Sequence, residues 1–356
     1  MGDKTNSKFW PLGHTYIIAE VGPNHDGFLD RALEIIPQVA QSGVDAIKFQ
    51  TFVSGSTVVA VDAPLAEYMK KDQSIAGQEE LLERIRLSFD DFRVIAKACS
   101  DNGITFLSTP FDVPSVQFLV ELSVPLLKIP SGEVTNYFLL KAAAQSKLPL
   151  IMSTGMATLD EISAALKLIR SVWDGLGIAI VDRPELAILH CTSAYPAPIS
   201  AVNLRAMETL KSTFELPVGY SDHTLGSSVT IAAVARGARI IEKHVTPDPE
   251  LPGPDHAASL PLSNLPRMVS DIREVNAALG DEAKMPTPAE ADVKLVARRA
   301  IVAACDVPAG TVFGETQLSA LRPETGISPM AAEQLFGRRA SRNYRAGEFI
   351  DPGELD

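Results

Sequence analysis

The chain has 356 residues, 46% of them hydrophobic and 21% charged, and a formal net charge of −12. Those proportions describe a folded chain of about two domains and exclude a disordered or collagen-like one. The acidic balance argues against a nucleic-acid or anionic-membrane surface, and no apolar run nears the roughly 18 residues that cross a bilayer. Three scattered cysteines (Cys99, Cys191, Cys305) and no Cys-x-x-Cys pair exclude a disulfide framework and a zinc ribbon, and fit a reducing cytoplasm. The opening MGDKTNSKFWPLG holds no apolar stretch of signal-peptide length.

Eight short apolar runs recur in chain order: 16–20 (YIIAE), 45–50 (DAIKFQ), 104–108 (ITFLS), 125–129 (PLLKI), 148–152 (LPLIM), 186–190 (LAILH), 217–220 (PVGY) and 239–243 (RIIEK). Their continuous Ile/Leu/Val character suits parallel strands buried on both faces. Helical patterns lie between them at 29–41, 89–101, 113–122, 159–173, 204–214 and 229–236. Eight strand–helix units predict a (β/α)8 TIM barrel over residues 1–285. A doubly wound sheet would favour a Gly-rich first turn, and the chain has neither G-x-G-x-x-G nor a Walker loop.

The stretch 53–103 is too long for one crossover helix. It holds AEYMKK at 66–71 and a helical pattern at 78–87, and reads as an insertion over the barrel mouth. Residues 286–297 read as a linker. The last unit, 298–356, carries seven arginines and no lysine, and repeats A-G-x-x-[FI]-x4-L at 309–318 and 346–355, an offset of 37. Two similar turn-and-strand units predict a small, pseudo-symmetric β-rich domain. At about 60 residues it is marginal alone and is expected to dock on something.

Polar residues gather where the strands end: Glu20, Lys48 and Gln50, Ser108 and Thr109, Lys128, Ser153 and Thr154, His190 and Thr192, Ser221, Asp222 and His223, Glu242 and His244. In a barrel of this type those ends share one mouth. His223 and His244 end adjacent strands and suit a divalent transition metal; each could equally be a hydrogen-bonded core histidine. Asp222 and Glu242 read as orienters of such ligands, or as partners of Lys243 or Arg239. Lys48 and Lys128 interrupt apolar strands, so each wants an anion, acts as a Schiff-base nucleophile, or pairs with Glu20 or Glu133. With Ser131, Gly132, Ser108 and Thr109 they form a cradle for phosphate or carboxylate. Asp255 in the loop at 253–256 suits a polyol or a turn, and Arg322 suits a ligand or a solvated surface.

These motifs resemble the sialic acid synthase family across nearly the whole chain. The residues that carry the resemblance are IIAEVGPNHDG (17–27), DAIKFQT (45–51), STPFD (108–112), KIPSGE (128–133), STGM (153–156), HCTSAYP (190–196), GYSDHT (219–224), EKH (242–244) and GPDH (253–256). LRP (321–323) and LFGRRA (335–340) resemble its antifreeze-like (SAF, β-clip) domain. The resemblance implies condensation of phosphoenolpyruvate with an N-acylated mannosamine-type aldehyde, giving a nonulosonic acid and phosphate. It implies a divalent metal, Mn before Mg, Co or Zn, on His223 and His244. Lys48, Thr109, Lys128, Ser131, Ser193 and Ser221 match phosphoenolpyruvate-binding positions, with Ser193 standing where the best-known members have Asn. Glu20, Gln50, Tyr195 and Asp255 match sugar-binding positions. Glu20, Lys48 and Glu242 are the catalytic candidates, with Glu20 a base for the attacking water. Arg322 matches an arginine that crosses to the neighbouring subunit of a domain-swapped homodimer. GPDH resembles the sialic and legionaminic branches more than the pseudaminic one. The rivals are a pseudaminate synthase, a Schiff-base aldolase and a non-catalytic carbohydrate-binding protein.

Overall fold

A computed structural model describes residue 7 and residues 9–60, 63–65, 77–351 and 353. The chain forms two compact units, Met1–Gly280 and Asp281–Asp356.

In the first unit eight strands alternate with helices: β1 (Tyr16–Glu20), α1 (Leu29–Gln41), β2 (Ala46–Thr51), α2 (Gln78–Ile85), α3 (Phe89–Asp101), β3 (Thr105–Pro110), α4 (Val113–Glu121) and β4 (Leu127–Ile129). There follow α5 (Tyr137–Gln145), β5 (Leu150–Ser153), α6 (Leu159–Gly175), β6 (Leu186–Cys191), α7 (Ala206–Phe214), β7 (Val218–Asp222), α8 (Ser228–Ala235), β8 (Ile240–Thr246), β9 (Leu260–Pro261) and α9 (Leu265–Leu279). The hydrogen-bonded order β3-β2-β1-β8-β7-β6-β5-β4 is parallel throughout, and β3 lies against β4 to complete the ring. This is the expected (β/α)8 barrel. Two helices stand where no helical pattern was expected, α5 and α9. The first opens on exposed aromatics, Tyr137 and Phe138, which blur its apolar stripe; Asn136 starts it by accepting from the Phe138 and Leu139 amides.

Strand alternation sorts the core into two layers. Outward side chains such as Ile17, Ile47, Ile129, Ile188 and Ile241 meet the helices. Inward ones, Ile18, Ala46, Leu107, Ile151, Leu189 and Ile240, fill the barrel around a fully buried Trp10. That apolar plug leaves the polar strand ends at the opposite mouth. The insertion is tied to the β3–α4 turn: Asp112 accepts from the Val53 amide and the Thr57 hydroxyl while capping α4 through the Ser115 amide. Its segment 66–71 lies outside the described residues.

In the second unit, residues 291–297 of the expected linker form a helix, α10 (Ala291–Ala297), with no buried side chain. Beyond it β10 (Ala300–Ala303) pairs antiparallel with β11 (Leu318–Leu321). The sequence repeat is structural. Val307 and Tyr344, 37 positions apart, exchange both backbone hydrogen bonds at 2.8 Å. Around them each contact has its image: Gly310 to Ala340 and Gly347 to Ala303, Val312 with Arg339 and Val302 with Phe349. Gly310 and Gly347 both take positive φ (80° and 83°), which explains why the glycine recurs in each copy. A small core of Ile301, Val307, Phe313, Leu335, Tyr344 and Ile350 lies between the halves.

Trp10→Ala empties the closed end of the barrel. The expected cost is about 3–5 kcal/mol, read as a lower denaturant midpoint. A loss below about 1 kcal/mol would show that Trp10 does not hold the inner layer.

Candidate active site

Lys128 on β4 and Glu242 on β8 are opposite one another in the ring, and their side chains meet in its interior, Nζ to Oε1 at 3.1 Å. Ser221 donates to the same oxygen at 2.9 Å. Lys48 Nζ lies 3.6 Å from Glu242 Oε2, pairs with Glu20 Oε2 at 2.5 Å and donates to Thr109 Oγ1 at 2.9 Å. Gln50 closes the series by donating to Glu20 Oε1 at 3.1 Å. The two lysines and two glutamates are each 3% exposed or less. Two cations and two anions sum to zero, so the buried cluster is neutral as a set, which is the condition for placing charges there at all.

The same packing separates the two carboxyls. Burial alone raises both, but Lys128 and Lys48 together hold Glu242 far below the usual carboxylate range. Glu20 ends above its ordinary value because burial outweighs Lys48 and His244, and the Glu242 charge adds to the rise. Burial opposes the Lys48 charge, yet Glu20 and Glu242 raise its proton affinity overall. Lys128 is lowered, burial outweighing the attraction of Glu242. Neighbouring carboxyls pushed apart in this way are suited to different roles, Glu242 as the standing anion and Glu20 as the more readily protonated of the two.

Beside the cluster the His223 and His244 rings stand edge to face, 5.1 Å between centroids. Tyr195 lies against His223 at 4.2 Å and reaches His244 at 5.7 Å. His223 Nδ1 donates to the Thr192 carbonyl at 2.8 Å, so in the neutral ring Nε2 is the nitrogen whose lone pair is free for a metal. His244 Nδ1 is buried without an aligned hydrogen bond, 3.2 Å from Asp255 Oδ2. An oriented imidazole, a second with an unmet nitrogen and a carboxylate alongside fit a divalent transition ion. Among the described residues no set of three His, Cys, Asp or Glu side chains converges as a metal cage. Two imidazoles alone leave open positions for water or substrate, as a catalytic site requires.

Part of the hydroxyl cradle is present; Ser108, of opposite parity to inward Leu107 and Thr109, instead shares a hydrogen bond with Thr51 at 2.6 Å on the outer side of the wall. Ser131 Oγ accepts from the Gly155 amide at 3.0 Å. A Cβ on Gly155 would fall 2.3 Å from Ser193 Oγ, 2.9 Å from Ser131 Oγ and 3.3 Å from Cys191 Sγ, so these side chains crowd a space that only glycine leaves open. Cys191 of this group, and Ser153 on β5, were given no role in the site from the sequence. Ser153 has the inward parity of Ile151, and its Oγ is buried without a hydrogen bond; its place in STGM at a strand end was the available signal. Cys191 Sγ lies 3.7 Å from His223 Nδ1. Lys128 pairs with Glu242 and not with Glu133, which instead takes Asn136. Nor does Glu242 turn toward Lys243 or Arg239: its parity on β8 points it inward, and Asp222 is the partner of Lys243. Arg322 is exposed on the second unit.

Against known proteins, residues 35–284 match the NeuB family and residues 298–356 a SAF domain. The chain belongs to the NeuB family. It is 43% identical to N,N'-diacetyllegionaminic acid synthase of Legionella pneumophila over 94% of this chain and 93% of that one. To the synthase of the same name from Campylobacter jejuni it is 40% identical, over 94% and 98%. Among solved structures, the N-acetylneuraminic acid synthetase of Leptospira borgpetersenii superposes with a TM-score of 0.68 at 34% identity, over 79% of this NeuB chain and 90% of that one. Among the described residues no helix is long and apolar enough to cross a membrane.

The flanking histidines yield a pH prediction. Burial first, and Arg31 second, lower both His25 and His256 to about 4. An unfolded imidazole takes its proton near pH 6.5, so the unfolded state binds more protons in this window. Stability is therefore fully present above about 6.5 and falls as the pH drops toward 4. Thermal melting across that range should show the decline, and His25→Gln should flatten it. A melting point unchanged from pH 7 to pH 4.5 would contradict the assignment.

Proposed function

We propose that this NeuB-family chain condenses phosphoenolpyruvate with an N-acylated, manno-configured amino-sugar aldehyde, releasing a nonulosonic acid and inorganic phosphate. The observation that carries the reading is the neutral lysine–glutamate cluster set directly beside the histidine pair. A highly anionic substrate entering a neutral buried cluster needs further positive charge, and the histidine pair is where a divalent cation would supply it. The relatives named above favour a 2,4-diacetamido-6-deoxy acceptor over N-acetylmannosamine.

In this reading Lys48, Lys128 and Thr109, with the hydroxyls of Ser131, Ser153, Ser193 and Ser221, hold the carboxylate and phosphate of phosphoenolpyruvate. A divalent ion on His223 and His244, Mn in the first instance, supplies Lewis acidity to the aldehyde oxygen when bound. Gln50, Tyr195 and Asp255 orient the sugar so that C3 of the enolpyruvate lies against the aldehyde carbon. The C3–C bond forms as the aldehyde C=O π bond opens to an alkoxide, C2 becomes electron-poor, and water adds there as Glu20 takes its proton and returns it to that alkoxide. Phosphate then leaves from C2, completing the ketone. Glu242 keeps Lys128 and Lys48 protonated and placed. One observation favours a second reading: the lowered proton affinity of Lys128 suits a Schiff-base nucleophile.

The test is phosphate release from phosphoenolpyruvate with Mn across N-acetylmannosamine, its 2,4-diacetamido-6-deoxy analogue, the altro-configured counterpart and arabinose 5-phosphate. Release with a manno acceptor, abolished by chelator and by His244→Ala in a folded protein, is expected. Release only with the altro sugar would make this a pseudaminate-type enzyme. Chelator-resistant turnover with borohydride trapping at Lys128 would establish the aldolase.

The exposed Arg322 is assigned to the acyl group of the sugar bound by the neighbouring subunit of a domain-swapped homodimer. Inactive Arg322→Ala and inactive His244→Ala chains, unfolded and refolded together, should regain turnover, because one mixed site is then intact. Recovery no greater than either chain alone would place the arginine elsewhere.

A further inference from the structure

The layer between the barrel wall and the helices is lined along β7 and β8 by Val218, Ile241, Val245 and the ring of Tyr220, whose buried hydroxyl lies beside Asp222. One ion pair interrupts it. Asp222 and Lys243 are register partners on the adjacent parallel strands β7 and β8, and their side chains, each 1% exposed or less, meet at 3.0 Å. The next residue on each strand is a histidine of the metal pair. Alternation therefore sends Asp222 and Lys243 out through the wall at the level where His223 and His244 project inward.

Every acceptor position of the Asp222 carboxylate is used. Oδ1 takes the Thr224 amide and the Thr224 hydroxyl, both at 2.8 Å. Oδ2 takes Lys243 at 3.0 Å and Thr230 of α8 at 2.6 Å. Lys243 also donates to the Thr224 carbonyl. Thr224 is thus bound through its N–H, hydroxyl and carbonyl, immediately after His223. The His223 carbonyl accepts from the Ala197 amide at 2.8 Å, and its ring is turned by Thr192. A buried ion pair gives little net stability compared with apolar packing of the same volume. Its persistence in this largely apolar layer needs another reason.

We infer that the Lys243–Asp222–Thr224–Thr230 knot is a positioning clamp that sets the spacing of the His223 and His244 imidazoles from outside the barrel, without touching them. The inference rests on the metal reading of that pair. Asp222 orients His223 through the backbone and through Thr224, not through a hydrogen bond to the ring. Lys243 ties the neighbouring strand to the same carboxylate, so the two histidines keep a common frame.

The decisive variant is the double substitution Asp222→Leu with Lys243→Met, which leaves no unpaired charge. Metal-free protein is titrated with Mn(II), free ion being read by electron paramagnetic resonance, and melting is followed in parallel. The clamp predicts a folded protein, with a melting temperature lowered by the Thr224 and Thr230 groups left without partners, and a Mn(II) Kd raised about 10- to 100-fold, the range expected when support behind metal ligands is lost. The KM for phosphoenolpyruvate at saturating metal should change less than twofold. A folded double variant with a Mn(II) Kd within twofold of the unmodified chain would overturn the clamp while leaving the metal reading intact. Should the double variant not fold, Thr230→Val decides: a Kd at least threefold weaker supports the clamp, and an unchanged one refutes it. Failure of the unmodified chain to bind Mn(II) would refute the metal reading, and the clamp with it, before any variant is compared.

Discussion

Four ionised side chains inside a closed barrel are tolerated only because they neutralise one another, and this constraint organises the first unit. Lys48, Lys128, Glu20 and Glu242 come from four different strands. Each can keep its charge only if the ring closes accurately enough to bring β4 across to β8. The apolar plug around Trp10 at one end supplies the rigidity, and the strand ends at the other supply the charges. The candidate site and the folding constraint are therefore the same set of atoms. Removing one partner leaves an uncompensated charge, so Lys128→Met disturbs the frame as well as the chemistry.

Much of this was legible in the chain. Eight continuous apolar runs gave the barrel because parallel strands buried on both faces leave no alternating pattern to misread. The inward set was legible because Lys48, Lys128, Glu242 and the histidines fall at strand ends, where a barrel has one shared mouth. What stayed hidden depends on pairing across the ring. A run such as RIIEKH does not say that Glu242 meets Lys128, 114 positions away, in place of its neighbour Lys243. The role of Ser153 was hidden for a related reason: a serine at a strand end becomes informative only when its hydroxyl is seen buried and unpartnered. Helix α5 was missed because exposed aromatics at its start mask the stripe formed by Leu139, Leu140, Ala143 and Ala144.

Parity along β7 and β8 links the two halves of the chemistry. Ser221, His223, Glu242 and His244 point inward to the candidate site, while Asp222 and Lys243 point outward to each other. This alternation lets neighbouring residues of one short motif face the candidate site and the scaffold behind it at once.

The duplicated frame of the small unit has its own consequence. Residues 301–313 are mirrored by 338–350, a copy shifted 37 places, and the two interlock through Val307 and Tyr344. Arg322 follows directly on β11, in the segment that joins one copy to the next. The bridge between the halves is tied to the shared core through Ile327 and Leu335. An exposed side chain at its start, as Arg322 is, stands outside the paired segments, so its length or charge can change while the frame that carries it stays fixed.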